Sequence, residues 1–181
     1  MTARARWVSV VAMGSVLGIA ACGGSKGTTT PTVVATPTPN PVTTAVVAQG
    51  ALSNLQVLEL RGVPFTTGAT GTITATVDWT FSNDNVEIYL VRGTCTIEQF
   101  NNQTCPFVAF SESVSQKPEV ARGSSQAAGS FTLYIGNRGP QVESTSYQVT
   151  LLSGGTTSSE HVTHALGHGA SAGRWLAIVN P

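Results

Sequence analysis

Gly71-Thr-Ile-Thr-Ala-Thr-Val-Asp-Trp-Thr-Phe81, Ser82-Asn-Asp-Asn85 and Val86-Glu-Ile-Tyr-Leu-Val91 follow one another without a break, and their reading decides the fold. In the first run Ile73, Ala75, Val77, Trp79 and Phe81 alternate with Thr72, Thr74, Thr76, Asp78 and Thr80, the period of a strand with one buried face. The four polar residues that follow have short side chains that bond their own backbone and favour a turn. A second apolar run then begins at Val86. This pattern predicts a hairpin anchored by Trp79, the residue expected to dominate the core.

Further short strands are expected at Leu55–Leu60, Phe107–Ser111, Glu119–Arg122, Phe131–Asn137 and Tyr147–Leu152, separated by Gly, Ser and Asn turns. Phe131, Leu133 and Ile135 alternate, as do Tyr147, Val149 and Leu151. With no long helical period, this spacing predicts an all-β sandwich over residues 50–153, a length that suits one core.

The flanks have a different composition. Arg4 and Arg6 precede a mostly apolar stretch from Trp7 to Ala21, about 15 residues, which suits a signal-peptide core and falls short of a membrane-spanning helix. Residues 1–21 are therefore expected to be a leader. Its end, Leu17-Gly18-Ile19-Ala20-Ala21-Cys22, resembles the lipobox of bacterial lipoproteins; an ordinary secretory leader with a chance cysteine is the alternative. The resemblance implies cleavage before Cys22, a diacylglycerol on its thiol and an acyl chain, such as palmitate, on its amino group. Gly23 stands where an aspartate would hold such a protein in the inner membrane, so the resemblance implies the outer membrane of the cell envelope. Residues 22–49, with prolines at 31, 37, 39 and 41, read as a Thr/Pro-rich disordered tether. Residues 154–181 read as a Gly/Ser-rich tail in which Trp175–Val179 is apolar enough for an edge strand or a docking peptide.

Charge excludes one class of partner. The chain has nine basic and nine acidic residues, and without Arg4 and Arg6 the balance becomes 7 − 9 = −2. No basic footprint for nucleic acid is present. The expected partners are the membrane, through the lipid, and an envelope protein or polysaccharide.

Cys95 and Cys105 bracket nine polar-rich residues, and in an exported chain whose other thiol carries lipid they are expected to pair as a structural disulfide. A metal or redox pair is the alternative.

Gly71 to Phe81, Asn85-Val-Glu-Ile-Tyr-Leu90, Ala128-Gly-Ser-Phe-Thr-Leu-Tyr-Ile-Gly-Asn-Arg-Gly139 and Ser146-Tyr-Gln-Val-Thr-Leu151 resemble the bacterial prepeptidase C-terminal domain and its small β-sandwich relatives. That resemblance implies a jelly-roll-like antiparallel sandwich without catalysis. Asn85 and Glu87 stand where that family has two aspartates, which weakens any calcium site it would imply.

Other constellations are thin. Gly169-Ala170-Ser171-Ala172-Gly173 has the form of a nucleophile elbow, the basis of a small-hydrolase alternative, but sits in a tract where composition alone produces it. His161, His164 and His168 would share a face of a helix as zinc or copper ligands, and are expected instead to be solvated. Asp78, Asp84 and Glu87 offer oxygens to calcium, against the commoner reading of solvated strand ends. Tyr89 and Tyr134, off the main core face by strand parity, and Phe100 in its loop are candidate exposed aromatics for a carbohydrate. The expectation is a non-enzyme with no cofactor.

Overall fold

The computed structural model describes residues 40–114, 116–154 and 174–179. Its strands are β1 (Thr43–Leu55), β2 (Glu59–Thr67), β3 (Gly71–Trp79), β4 (Val86–Arg92), β5 (Phe107–Ser111), β6 (Glu119–Gln126), β7 (Gly129–Asn137), β8 (Glu143–Ser153) and β9 (Ala177–Val179), with one short helix, α1 (Ile97–Asn101). They form a four-stranded sheet in the order β1-β8-β3-β6 and a five-stranded sheet in the order β5-β4-β7-β2-β9. Every pairing is antiparallel except that of β9 with β2. The first eight strands thus make a jelly-roll sandwich, in which chain neighbours mostly lie in opposite sheets.

Alternation along the strands builds the core. Ile73, Ala75, Val77 and Trp79 of β3 meet Val149 and Leu151 of β8 on one inner face, and Ile88, Leu90, Phe131, Leu133 and Ile135 supply the other. Burying a side chain of this size is worth about 1.5–3 kcal/mol, so this layer dominates the favourable side of folding.

The expected hairpin is corrected. β3 pairs with β6 and β8, whereas β4 pairs with β5 and β7, so the two runs pack face to face across the core. The turn residues reverse the chain but do not decide which sheet the next strand joins. That choice follows from burial: β4 is buried along nearly its whole length and needs cover on both faces, which the four-stranded sheet supplies on one side and the layer of Phe100, Cys95, Cys105 and Trp175 on the other. The buried Glu143 carboxylate steers the crossing by accepting the backbone N–H groups of Thr80 (2.9 Å) and Phe81 (3.0 Å). β3 therefore ends at Trp79, and Phe81, expected on the buried face, is 40% exposed.

Two boundaries also move. The expected tether to residue 49 ends earlier, because β1 already begins at Thr43 and pairs with β8 from Ser153 to Glu143. Leu55–Leu60, expected as a strand, is instead the corner between β1 and β2, with Leu58 at φ 60° and its N–H bonded to the Asn137 carbonyl at 2.8 Å.

β1–β2, β3–β4, β5–β6 and β7–β8 turn at one end of the sandwich. The chain enters β1 at the other end, where Thr43 pairs with Ser153.

Candidate functional site

Two surfaces carry chemistry, one on each sheet. On the five-stranded sheet, Tyr89, Val91 and Tyr134 point away from the main core and are covered by Phe100 of α1, the Cys95–Cys105 pair and Trp175. A capping box fixes the start of α1: Thr96 Oγ1 accepts the Gln99 N–H, and the Gln99 side chain accepts the Thr96 N–H. Cys95 and Cys105 are joined with their Cα atoms 5.9 Å apart. The Tyr134 hydroxyl accepts the Cys95 N–H at 2.8 Å and donates to the Cys95 carbonyl at 3.2 Å, which ties the loop to the sheet.

Phe100 meets Tyr89 edge-on at 4.8 Å between centroids and Tyr134 at 5.5 Å. Tyr89, Tyr134 and Phe100 are each at most 5% exposed. This corrects the expectation that they are open aromatics: parity placed both tyrosines off the main core rightly, but a second apolar layer closes over them. The Tyr89 hydroxyl donates to Glu87 at 2.6 Å. Burial first, and then the negative charges of Glu87 and Glu112, push its ionisation far above the usual tyrosine range, so it stays a neutral donor.

The acidic residues considered for calcium are otherwise engaged. Glu87 accepts from Arg138 at 3.1 Å, Asp84 accepts the N–H groups of Asn85 and Gln141, and Asp78 faces outward on β3. Among the described residues no three His, Cys, Asp or Glu side chains are placed to share a metal ion. At the β5–β6 corner Glu119 is fully buried and its Oε2 accepts from the Ser111 hydroxyl. Burial raises its pKa, partly offset by the hydrogen bonds from Ser111 and the Ser113 backbone.

On the four-stranded sheet an open groove of about 470 Å³ crosses β1, β8 and β3 near their turn end. Its exposed residues are Ala51 and Ser53 of β1, Ser144 and Ser146 of β8, and Asp78 and Thr80 at the end of β3. Register makes the groove: Ala51 and Asp78 both lie opposite Ser146, so small hydroxyl side chains occupy the centre and a carboxylate one side. Leu52, Trp79 and Thr145 line it from between those positions, and the Trp79 indole N–H and Thr145 hydroxyl are buried without a hydrogen-bond partner. Lys117 borders it: its ammonium donates to the Trp79 carbonyl, lies 5.1 Å from the Trp79 ring centroid and sits 3.6 Å from Asp78. Phe81, next in sequence to Thr80, is the exposed aromatic among the described residues.

Such a surface offers neutral donors and acceptors around one carboxylate. Sequence reasoning missed it because single serines on alternate strand positions carry no motif; only the register brings them together. Cys22, His161, His164, His168 and the Gly169–Gly173 string lie outside the described residues. Among the described residues no helix is long and apolar enough to cross a membrane.

No protein-family model matches this chain, and no curated protein matches it. A solved structure, a chain of Desmodium yellow mottle tymovirus, is similar over 82% of this chain and 100% of its own, at 14% identity and a TM-score of 0.30. A likeness that distant adds nothing to the strand order described above.

Proposed function

We propose that this chain is a lipid-anchored cell-envelope protein whose β-sandwich is a non-catalytic binding module, and that the hydroxyl-lined groove is its binding surface. The observation that carries this reading is the distance between the groove and the point where the chain enters the sandwich. The chain enters β1 at Thr43, whereas the groove begins at Ala51 to Ser53, roughly 30 Å further along the same strand at 3.4 Å per residue. Attachment through the N-terminal residues is therefore made at one end of the sandwich, and the groove opens near the other. The lipobox-like run ending at Cys22 supports a lipid as that attachment.

The chemistry of the groove favours a hydroxyl-rich, uncharged ligand such as a polysaccharide. Ser53, Thr80, Ser144 and Ser146 both donate and accept, Asp78 accepts from paired hydroxyls, and Phe81, exposed and next in sequence to Thr80, is an aromatic available for stacking on a sugar face. Two measurements test the reading separately. Membrane fractionation should find the wild-type chain in the pellet and Cys22→Ser outside it; a processed Cys22→Ser chain that still pellets contradicts the lipid anchor. On an oligosaccharide array, wild-type protein should bind neutral glycans and Ser146→Trp, which fills the groove, should not. Equal binding by both contradicts the groove.

A further inference from the structure

The C-terminal residues seat on the five-stranded sheet as a separately delivered peptide would. Nineteen residues, 155–173, separate Gly154 from Arg174. Beyond them, the Trp175 N–H donates to Asn101 Oδ1 at 3.0 Å and its carbonyl accepts from Asn101 Nδ2 at 3.1 Å, so one amide side chain grips both backbone groups of one residue. The Leu176 N–H donates to the Leu58 carbonyl at 3.0 Å, and Ala177, Ile178 and Val179 then pair in parallel with Glu59, Leu60 and Arg61.

The Trp175 ring fills a slot made for it. Gly136 forms the floor, where an added Cβ would come within 2.2 Å of the indole. The Tyr89 ring meets it edge-on at 6.3 Å, and the Arg138 guanidinium lies 3.7 Å from its centroid. Main-chain pairing on a sheet edge together with a pocket for one large side chain is the way proteins recognise an added strand.

We propose that this slot is an exchangeable strand-accepting site, and that it takes the C-terminal strand of a second copy of this chain as well as its own. The seat holds its occupant through three paired residues, one anchor and one amide clamp, a small interface that can open without disturbing the sandwich core. Nineteen extended residues reach up to roughly 60 Å, about twice the length of a strand of this sandwich. Geometry therefore does not restrict the strand to its own slot; the effective concentration that comes with covalent connection does, on the order of millimolar. Exchange takes over where copies are crowded to comparable density, and reciprocal exchange closes a two-fold dimer in which each copy supplies Trp175 to the other. The slot lies on the opposite sheet from the hydroxyl-lined groove, and the proposal does not depend on that reading.

Complementation between two full-length variants tests it, each carrying Cys22→Ser to remove any lipid. Trp175→Ala keeps an open slot but lacks the anchor; Gly136→Leu keeps the anchor but blocks the slot. Sedimentation should show each alone as a monomer and their mixture as a one-to-one complex. A mixture that stays monomeric while both variants retain their far-UV circular dichroism overturns the proposal, as does equal dimerisation by each alone. Should either variant fail to fold, a protease site placed within residues 155–173 of the otherwise unchanged chain allows the tail to be cut after folding. A labelled peptide of residues 172–181 should then replace the cut tail, and the same peptide with Trp175→Ala should not. Failure of the first peptide to exchange overturns the proposal.

Discussion

Trp175 occupies the space that a side chain at position 136 would need: a Cβ on Gly136 would lie 2.2 Å from the indole Cη2 and 2.8 Å from Leu60 Cδ2. A glycine within a central strand is ordinarily a weakness, and here, one residue before the end of β7, it is the condition for docking the C-terminal strand. Gly136→Ala should therefore destabilise the fold by about 1–3 kcal/mol, the usual range for overpacking. It should also redshift the emission of Trp175 as the ring is displaced. An unchanged spectrum and midpoint in urea would place Trp175 elsewhere.

Trp79 belongs to the main core, 7% exposed at the end of β3 with Lys117 above its ring. Trp79→Ala should cost about 3–5 kcal/mol, a large share of the stability of a domain this size. Because the same residue lines the groove, the substitution should also weaken any ligand bound there. A melting temperature within a degree of wild type would contradict its role as an anchor.

Much of this layout can be read from residue order, and its limits have physical causes. Alternation located β3 and β8 because each has one face on the core and one turned outward, and β7 because Phe131, Leu133 and Ile135 alternate on its core face, although its other face is buried as well. It missed most of β1, an edge strand of small and polar residues exposed along most of its length, in which no apolar face contrasts with the other. It placed Tyr89 and Tyr134 off the main core, yet parity cannot say what covers the outer face. One signal for that cover was present: Thr96-Ile-Glu-Gln99 is a capping box, and a helix start inside a cysteine-bracketed loop is a lid with an apolar side. The groove was not legible at all, since it consists of register rather than of residue type.

Glu119 provides a pH test. Its raised pKa means that the folded state holds its proton more tightly than the unfolded chain does. Stability is then lost as pH rises from the ordinary carboxylate range through the raised value, the reverse of a salt-bridged acid. Glu119→Gln removes this loss while keeping an acceptor for the Ser111 hydroxyl. Denaturant unfolding between pH 4 and 8 should show the variant gaining on wild type as pH rises. A gain that is flat with pH, or a variant that falls behind at neutral pH, would contradict the assignment.

Cys95 and Cys105 close a loop ten residues apart in sequence that carries α1 and Phe100 over Tyr89. In a chain bearing Cys22→Ser, thiol titration after denaturation should find no free cysteine before reduction and two after it. Reduction should cost about 3 kcal/mol by the chain-entropy account, and should expose Phe100 and Tyr89 to solvent. Two thiols without reductant would mean that the loop is held by packing alone.

The central claim is that the face bearing Ser53, Asp78, Ser144 and Ser146 binds a hydroxyl-rich ligand at the end of the sandwich remote from its attachment. The most direct measurement is a map of backbone amide shifts in isotope-labelled Cys22→Ser protein during titration with an oligosaccharide that it binds. The account predicts saturable shifts gathered at Ala51–Ser53, Asp78–Phe81 and Ser144–Ser146, with the outer face of the five-stranded sheet unchanged. Shifts gathered around Phe100 and Trp175 instead, or no saturable shifts at any site, would contradict it.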